Sequence, residues 1–241
     1  MTVTAPPTKP RRARAAALVA HDGPLAVRLV RILQVFLASV SFLACLVPVL
    51  LFEALVGWQP THAAIALSAL AVLPLAPAVF ALVSAAERIL DHGADAQAGR
   101  AFWRAFASGT RRLWGAGLAV AAAALIIGYD VALLGASDGV VLAAAVAVGG
   151  VVALVVSLST AALADPAASG RDLLTRAVRA VIVRPHLALA WLLIVVVCAA
   201  MTVLPVVGTS LALFLPALGA MAVVICTRAL GMRAPTQRSA S

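Results

Sequence analysis

Long uncharged runs dominate the chain, separated by short stretches where polar and charged residues gather. The runs cover residues 32–52, 63–86, 113–134 and 139–164, the third interrupted only by Asp130. A helix rising 1.5 Å per residue needs about 17–25 residues to cross a hydrocarbon layer about 30 Å thick, and each run meets that length. A fifth run, 187–227, has 41 residues without a formal charge, too many for one crossing. Its middle carries Pro205, Gly208, Thr209 and Ser210. Proline and glycine punctuate helices, so this run divides into spans at 187–205 and 210–227 around a tight turn. The pattern predicts an all-α, multi-pass transmembrane bundle of about six spans. A single span followed by a re-entrant segment is the competing division.

Charge decides between the two. With six spans, all 18 Lys and Arg residues fall on one side: those from Lys9 to Arg31, from Arg88 to Arg112, from Arg171 to Arg184, and Arg228, Arg233 and Arg238. The opposite loops carry Glu53 and Asp138. Short cytoplasmic loops are enriched in Lys and Arg, so this distribution predicts six spans with both termini cytoplasmic. A five-span chain would strand the last three arginines outside. Residues 1–26, with Pro6, Pro7, Pro10, Gly23 and Pro24, read as a flexible basic tail, and 231–241 as a second cytoplasmic tail around a single membrane domain, 27–230. Only about six apolar residues follow Arg14, too few for a cleavable signal.

Two of the segments on the basic side are long enough to form helices of their own. In the first, Phe102, Trp103 and Phe106 are spaced to share a helical face with Arg100 and Arg104 at its flanks. The expectation is a helix in the headgroup layer, rings inserted and guanidinium groups on phosphate, with the bilayer and its anionic headgroups as partner. The second segment, 170–184, combines Arg171, Arg176 and Arg179 with Leu173, Leu174, Val178 and Val181. Either could instead be a platform for a cytoplasmic partner. Gly-Arg opens both segments and Arg-Ala follows four or five residues later, which raises a duplicated helix–surface-helix–helix unit.

Within the spans, Pro74, Pro77 and Pro216 are candidate helix kinks, because each proline removes a main-chain hydrogen bond. Kinked helices line substrate paths in transporters and are also ordinary in membrane bundles. Asp130, beside Tyr129 and near the outer end of the third span, is the one acidic residue inside a run. The expected place for it is the interface; a buried ion-binding role is the alternative.

Composition sharpens this picture. The chain has 241 residues, 64% of them hydrophobic and 11% charged, against about a quarter charged in a typical soluble domain. Too few polar side chains exist to cover a water-facing surface. The net charge of +9 raises nucleic acid as a partner. The basic residues, however, sit in clusters beside apolar runs with no recognition motif, so no nucleic acid is expected. Cys45, Cys198 and Cys226 lie inside apolar runs with no metal-ligand spacing, and no cofactor, metal or disulfide is expected. No hydrolase, metalloprotease or phosphate-binding motif is present, so the chain is not read as an enzyme.

The stretch from Val72 to Ala81, the charged stretch after it, Ala101-Phe-Trp-Arg-Ala-Phe106 and the run ending in Tyr129-Asp130 together resemble the YesL-like family of bacterial integral membrane proteins. The resemblance extends over about 27–230, including a final hairpin from Pro185 to Arg228. Leu75-Ala-Pro-Ala78 stands where the family has Gly-Pro-Ala-Thr. The resemblance implies a bacterial plasma-membrane location and an accessory role in carbohydrate uptake, with ABC transporter components as partners. It carries over no catalytic or binding residue. Two functions follow as expectations: a non-enzymatic accessory or scaffold, or a small transporter or permease subunit. An apolar bundle interior would favour the first, and an inward-facing polar cluster the second.

Overall fold

A computed structural model describes residues 24–57, 59–135, 137–202, 204 and 208–230. The predicted tails, 1–26 and 231–241, lie outside the described residues except for 24–26, as does the core of the proposed turn at 205–207. Among the described residues the chain is entirely helical, and the helices form a bundle.

Helix α1 runs Pro24–Leu55, eight residues longer at its start than the expected span. Pro24, the first described residue, already lies in this helix. Arg28 and Arg31 ride on this helix. It also contains Pro48, which the sequence reading did not single out.

The run at 63–86 forms two helices, α2 (His62–Ala71) and α3 (Leu75–His92), separated by a turn at Val72–Pro74. The turn closes through short-range bonds, Leu73 N–H to the Leu70 carbonyl at 3.2 Å and Leu75 N–H to the Val72 carbonyl at 2.9 Å. Pro74 sits at this break, as the capping residue of α3. Pro77 does not kink a helix, because it sits in the first turn of α3, where no intrahelical donor is required.

A 3-10 turn, Gly93–Ala96, leads into α4 (Ala98–Arg112), then α5 (Trp114–Leu134) and α6 (Asp138–Ala164). After α7 (Gly170–Val183) comes α8 (Pro185–Thr202), and the chain ends in α9 (Gly208–Ala212) and α10 (Leu215–Ala229). Pro216 lies in the first turn of α10; the break is at Leu213–Phe214, just before it. Among the described residues, five helical stretches are long and apolar enough to cross a membrane: Leu25–Leu55, His62–Ala96, Trp114–Leu134, Asp138–Ala164 and Pro185–Thr202. Leu215–Ala229 is apolar but shorter.

Helix α3 is the hub. It packs against α1, α4, α5, α6 and α10, and Ala78, Ala81, Ala85 and Ala86 are fully buried along it. Small side chains on the hub let five neighbours approach closely, and dispersion between closely packed surfaces is what holds apolar helices together where water does not drive them. Helix α5 uses the same device against the broken pair. A Cβ at Gly117 would lie 2.8 Å from the Leu73 carbonyl oxygen, and one at Gly128 would lie 2.9 Å from Ile65 Cγ2. The two glycines are eleven residues apart, three helical turns, so they face α2 and its break together.

Candidate functional site

Contacts at helix ends engage Arg228, Arg112 and Arg176. Arg228, in the last turn of α10, makes a bidentate ion pair with Asp91 of α3, Nη1–Oδ1 2.7 Å and Nη2–Oδ2 3.0 Å, and reaches Glu87 at 3.3 Å. Two parallel bonds fix the relative rotation of the two helices as well as their separation. Gln34 of α1 donates to the Ala94 carbonyl at 3.3 Å, and its Oε1 accepts from the N–H of Ala98. One amide thus ties α1 to the corner between α3 and α4.

Arg112, at the end of α4, donates to the carbonyls of Ala162, Asp165 and Ala168 at 3.1, 2.6 and 3.3 Å. The last carbonyls of a helix have no partner within it and carry partial negative charge, so a guanidinium there caps the C-terminus of α6. Beside it, the Asp165 carboxylate pairs with Arg176 of α7 at 2.8 Å. That hydrogen bond holds the Asp165 carboxyl below the usual carboxylate range.

Between α5, α6 and α7 lies a groove of about 440 Å³. Its walls are apolar, including Val120, Leu154 and Leu158, and its mouth carries Arg112, Arg171 and Trp114. Gly115, Ala116 and Ala119 on α5 are too small to fill it.

The aromatic segment forms the expected helix, but its rings do not share one environment. Phe102 is 0% exposed and belongs to the core built from α1, α3 and α10. Phe106 is partly buried against the same core, and Trp103 is 48% exposed. The rings still touch: Trp103 meets Phe102 and Phe106 edge-on at centroid distances of 5.5 and 5.8 Å, while Phe102 and Phe106 stack at 6.3 Å. Insertion of Phe102 into a headgroup layer is therefore corrected, because α1 and α3 cover it first. The outer face of α4 is mostly polar, with Arg100, Arg104, Ser108, Thr110 and Arg111 exposed beside Trp103 and Ala107.

Helix α7 has the amphipathic exterior that α4 lacks. Leu173 and Ala177 are buried against the protein, while Leu174, Val178, Ile182 and Val183 are exposed on the other side. Counting from the opening Gly-Arg of each segment, Phe102 and Leu173 occupy the same place and both are 0% exposed. The next residues, Trp103 and Leu174, are 48% and 47% exposed. The two corner helices dock in one register, although the residues doing so differ.

At the opposite end of the bundle, Asp130 is exposed and has no ion pair among the described residues. The polar contact there belongs to its neighbour: the Tyr129 hydroxyl lies 3.0 Å from His62 Nδ1.

The bundle interior is almost without polar chemistry. Among the described residues its buried polar side chains are Ser39, Ser41, Ser157 and Ser159, with no buried charge. Ser39 bridges the break before α10, donating to the Phe214 carbonyl at 3.2 Å and accepting from the Ala217 N–H at 3.0 Å. Ser157 donates to the Ala177 carbonyl at 3.1 Å and ties α7 onto α6, and Ser159 bonds within its own helix. None of these contacts was legible in the sequence. Pro74 is half-buried at its break and Pro77 fully buried in the core of α3; neither lines a polar path.

Comparison with protein-family models, with curated proteins and with solved structures finds no match for this chain in any of the three.

Proposed function

We propose that this chain is a six-span integral membrane protein, both termini cytoplasmic, that serves as a non-enzymatic accessory or scaffold for other membrane proteins. One observation carries the functional part: no charged side chain is buried in the described interior, and three of its four buried serines bond main-chain carbonyls. A permeation path needs polar groups free to replace the solvation of its substrate. Here three of the four hydroxyls are already engaged by main-chain carbonyls, two of them, Ser39 and Ser157, between helices.

The sixth crossing is assigned to α9 and α10 taken together, 208–229, whose 22 residues would reach about 33 Å at 1.5 Å per residue if collinear. The pairing of Arg228 with Asp91 supports it, since it sets the end of α10 beside the end of α3. Reporters fused after Met232 and near Gly93 are expected to read cytoplasmic, and one near Ser137 external; an external reading at Met232 removes the six-span arrangement. The likeness to YesL-like proteins directs the scaffold role toward carbohydrate uptake in a bacterial plasma membrane, with ABC transporter components as partners. Affinity purification from native membranes tests this, and recovery of the chain without any co-purifying membrane protein counts against it.

The two broken helices, α2–α3 and α9–α10, favour a second reading as a small transporter. Asp130→Asn separates the two. The scaffold retains partner capture at matched expression, whereas a transporter coupled through this carboxylate loses or pH-shifts uptake.

A further inference from the structure

The groove between α5, α6 and α7 combines two chemistries that a phospholipid also combines. Its volume of about 440 Å³ falls within the range of about 300–1,000 Å³ typical of ligand sites, and its walls are apolar. Trp114 and Leu174, which line it, are exposed. Its mouth is cationic. Arg112 uses three donors on the carbonyls at the end of α6, and a guanidinium has five, so two remain. Arg171 lines the same mouth and has no ion pair among the described residues. Of the nearby carboxylates, Asp165 pairs with Arg176, and Asp172 accepts from the Ser169 hydroxyl at 2.7 Å and keeps its charge. Two arginines therefore line the groove, and neither is in an ion pair among the described residues.

We infer that this groove is a binding site for one anionic phospholipid, an acyl chain lying along α5 and α6 and the phosphate held between Arg112 and Arg171. The inference rests on the membrane-spanning reading above. Small residues on α5 make room for the chain, and the main-chain anchors of Arg112 fix one cation before the lipid arrives, which lowers the ordering cost of binding. Arg171 stands on the first turn of α7, so an occupied site also ties that helix, with its exposed Leu174, Val178 and Ile182, to the lipid surface.

The test uses full-length protein purified in a neutral detergent and native mass spectrometry with phosphatidylglycerol and phosphatidylcholine added in equal amounts. The expected result is one retained phosphatidylglycerol in preference to phosphatidylcholine. Arg171→Gln is expected to lower that preference about fivefold, the factor that one basic residue contributes on an anionic surface. Ala119→Leu, which fills the groove without touching a charge, is expected to abolish retention of both lipids. Equal retention of the two lipids by wild type, or unchanged retention in both variants, overturns the site. Displacement of the lipid by millimolar glycerol phosphate also overturns it, since a headgroup anion alone would then suffice. Extraction of membranes with alkaline carbonate separates this result from the reading beneath it: release of the chain defeats the membrane assignment, whereas a retained chain without lipid preference defeats only the site.

Discussion

Ser39 and Ala217 are 178 residues apart in sequence, and the Ser39 hydroxyl accepts the Ala217 N–H at 3.0 Å while donating to the Phe214 carbonyl at 3.2 Å. Ala217 is the third residue of α10, whose own capping position, Phe214, offers no side-chain acceptor. Helix α1 thus supplies the cap that α10 lacks. A buried donor left without a partner costs about 1–3 kcal/mol, so Ser39→Ala is expected to destabilise the bundle by that amount. Thermal unfolding in detergent measures it, with Ser68→Ala, whose hydroxyl bonds within its own helix, as the comparison. Equal midpoints for the two variants would show that the bridge contributes nothing.

Phe102 and Trp103 are neighbours with opposite environments. Removing a buried aromatic ring costs about 3–5 kcal/mol, so Phe102→Ala is expected to unfold the corner around α4. Trp103→Ala, at a half-exposed position, should cost far less. Cysteine scanning of residues 99–110 gives an independent measurement: positions 100, 104 and 108 should label from water and position 102 should not. Water labelling at 102, or protection at 100 and 104 by lipid, would restore the headgroup-layer placement.

Gly117 faces the main chain of the α2–α3 break rather than a movable side chain. Gly117→Ala would bring a Cβ within 2.8 Å of the Leu73 carbonyl oxygen, which has no rotamer to escape into. Overpacking of this kind costs about 1–3 kcal/mol. Gly115→Ala, with nothing within 4 Å of the added carbon, should be silent or slightly stabilising, since alanine is the better helix former. Unfolding midpoints of the two variants check both signs.

The Asp165–Arg176 pair gives a pH signature. Its hydrogen bond lowers the folded-state pKa of Asp165 below the unfolded value of about 3.9. The pair therefore contributes fully above that value and is lost as pH falls through the folded pKa. The stability difference between wild type and Asp165→Asn should be constant from neutral pH to about 5 and shrink below about 4. A difference that grows on acidification contradicts the assignment. Both groups are largely exposed, so the effect is small and weakens with salt.

What the sequence determined by itself is what depends on local composition: that the chain is helical, where uncharged runs begin and end, and which segments carry the arginines. Helix geometry converts a run length into a reach, and that needs no knowledge of neighbours. Even there the limits were local. Arg28 and Arg31 concealed the early start of α1, because charge marks the edge of an apolar run and not the end of a helix. Pro77 and Pro216 read as kinks because proline costs a hydrogen bond only beyond the first turn, and the sequence does not say where a first turn lies.

The tertiary structure decided which faces meet. Helices built from Ala, Val, Leu and Gly have no polar side to reveal their orientation, so nothing in the composition of α3 marks it as the hub that five helices contact. Phe102 carries a pattern equally suited to lipid or to protein, and the approach of α1 and α3 decides for protein. The Gln34 and Ser39 side chains gain their roles from main-chain groups 60 to 178 residues away. Arg112 and Arg171 belong to segments that the sequence separates, and the packing of α7 on α6 brings them to one groove. A contact between distant segments depends on the closed shape of the whole chain, and an unaligned single sequence does not carry that information.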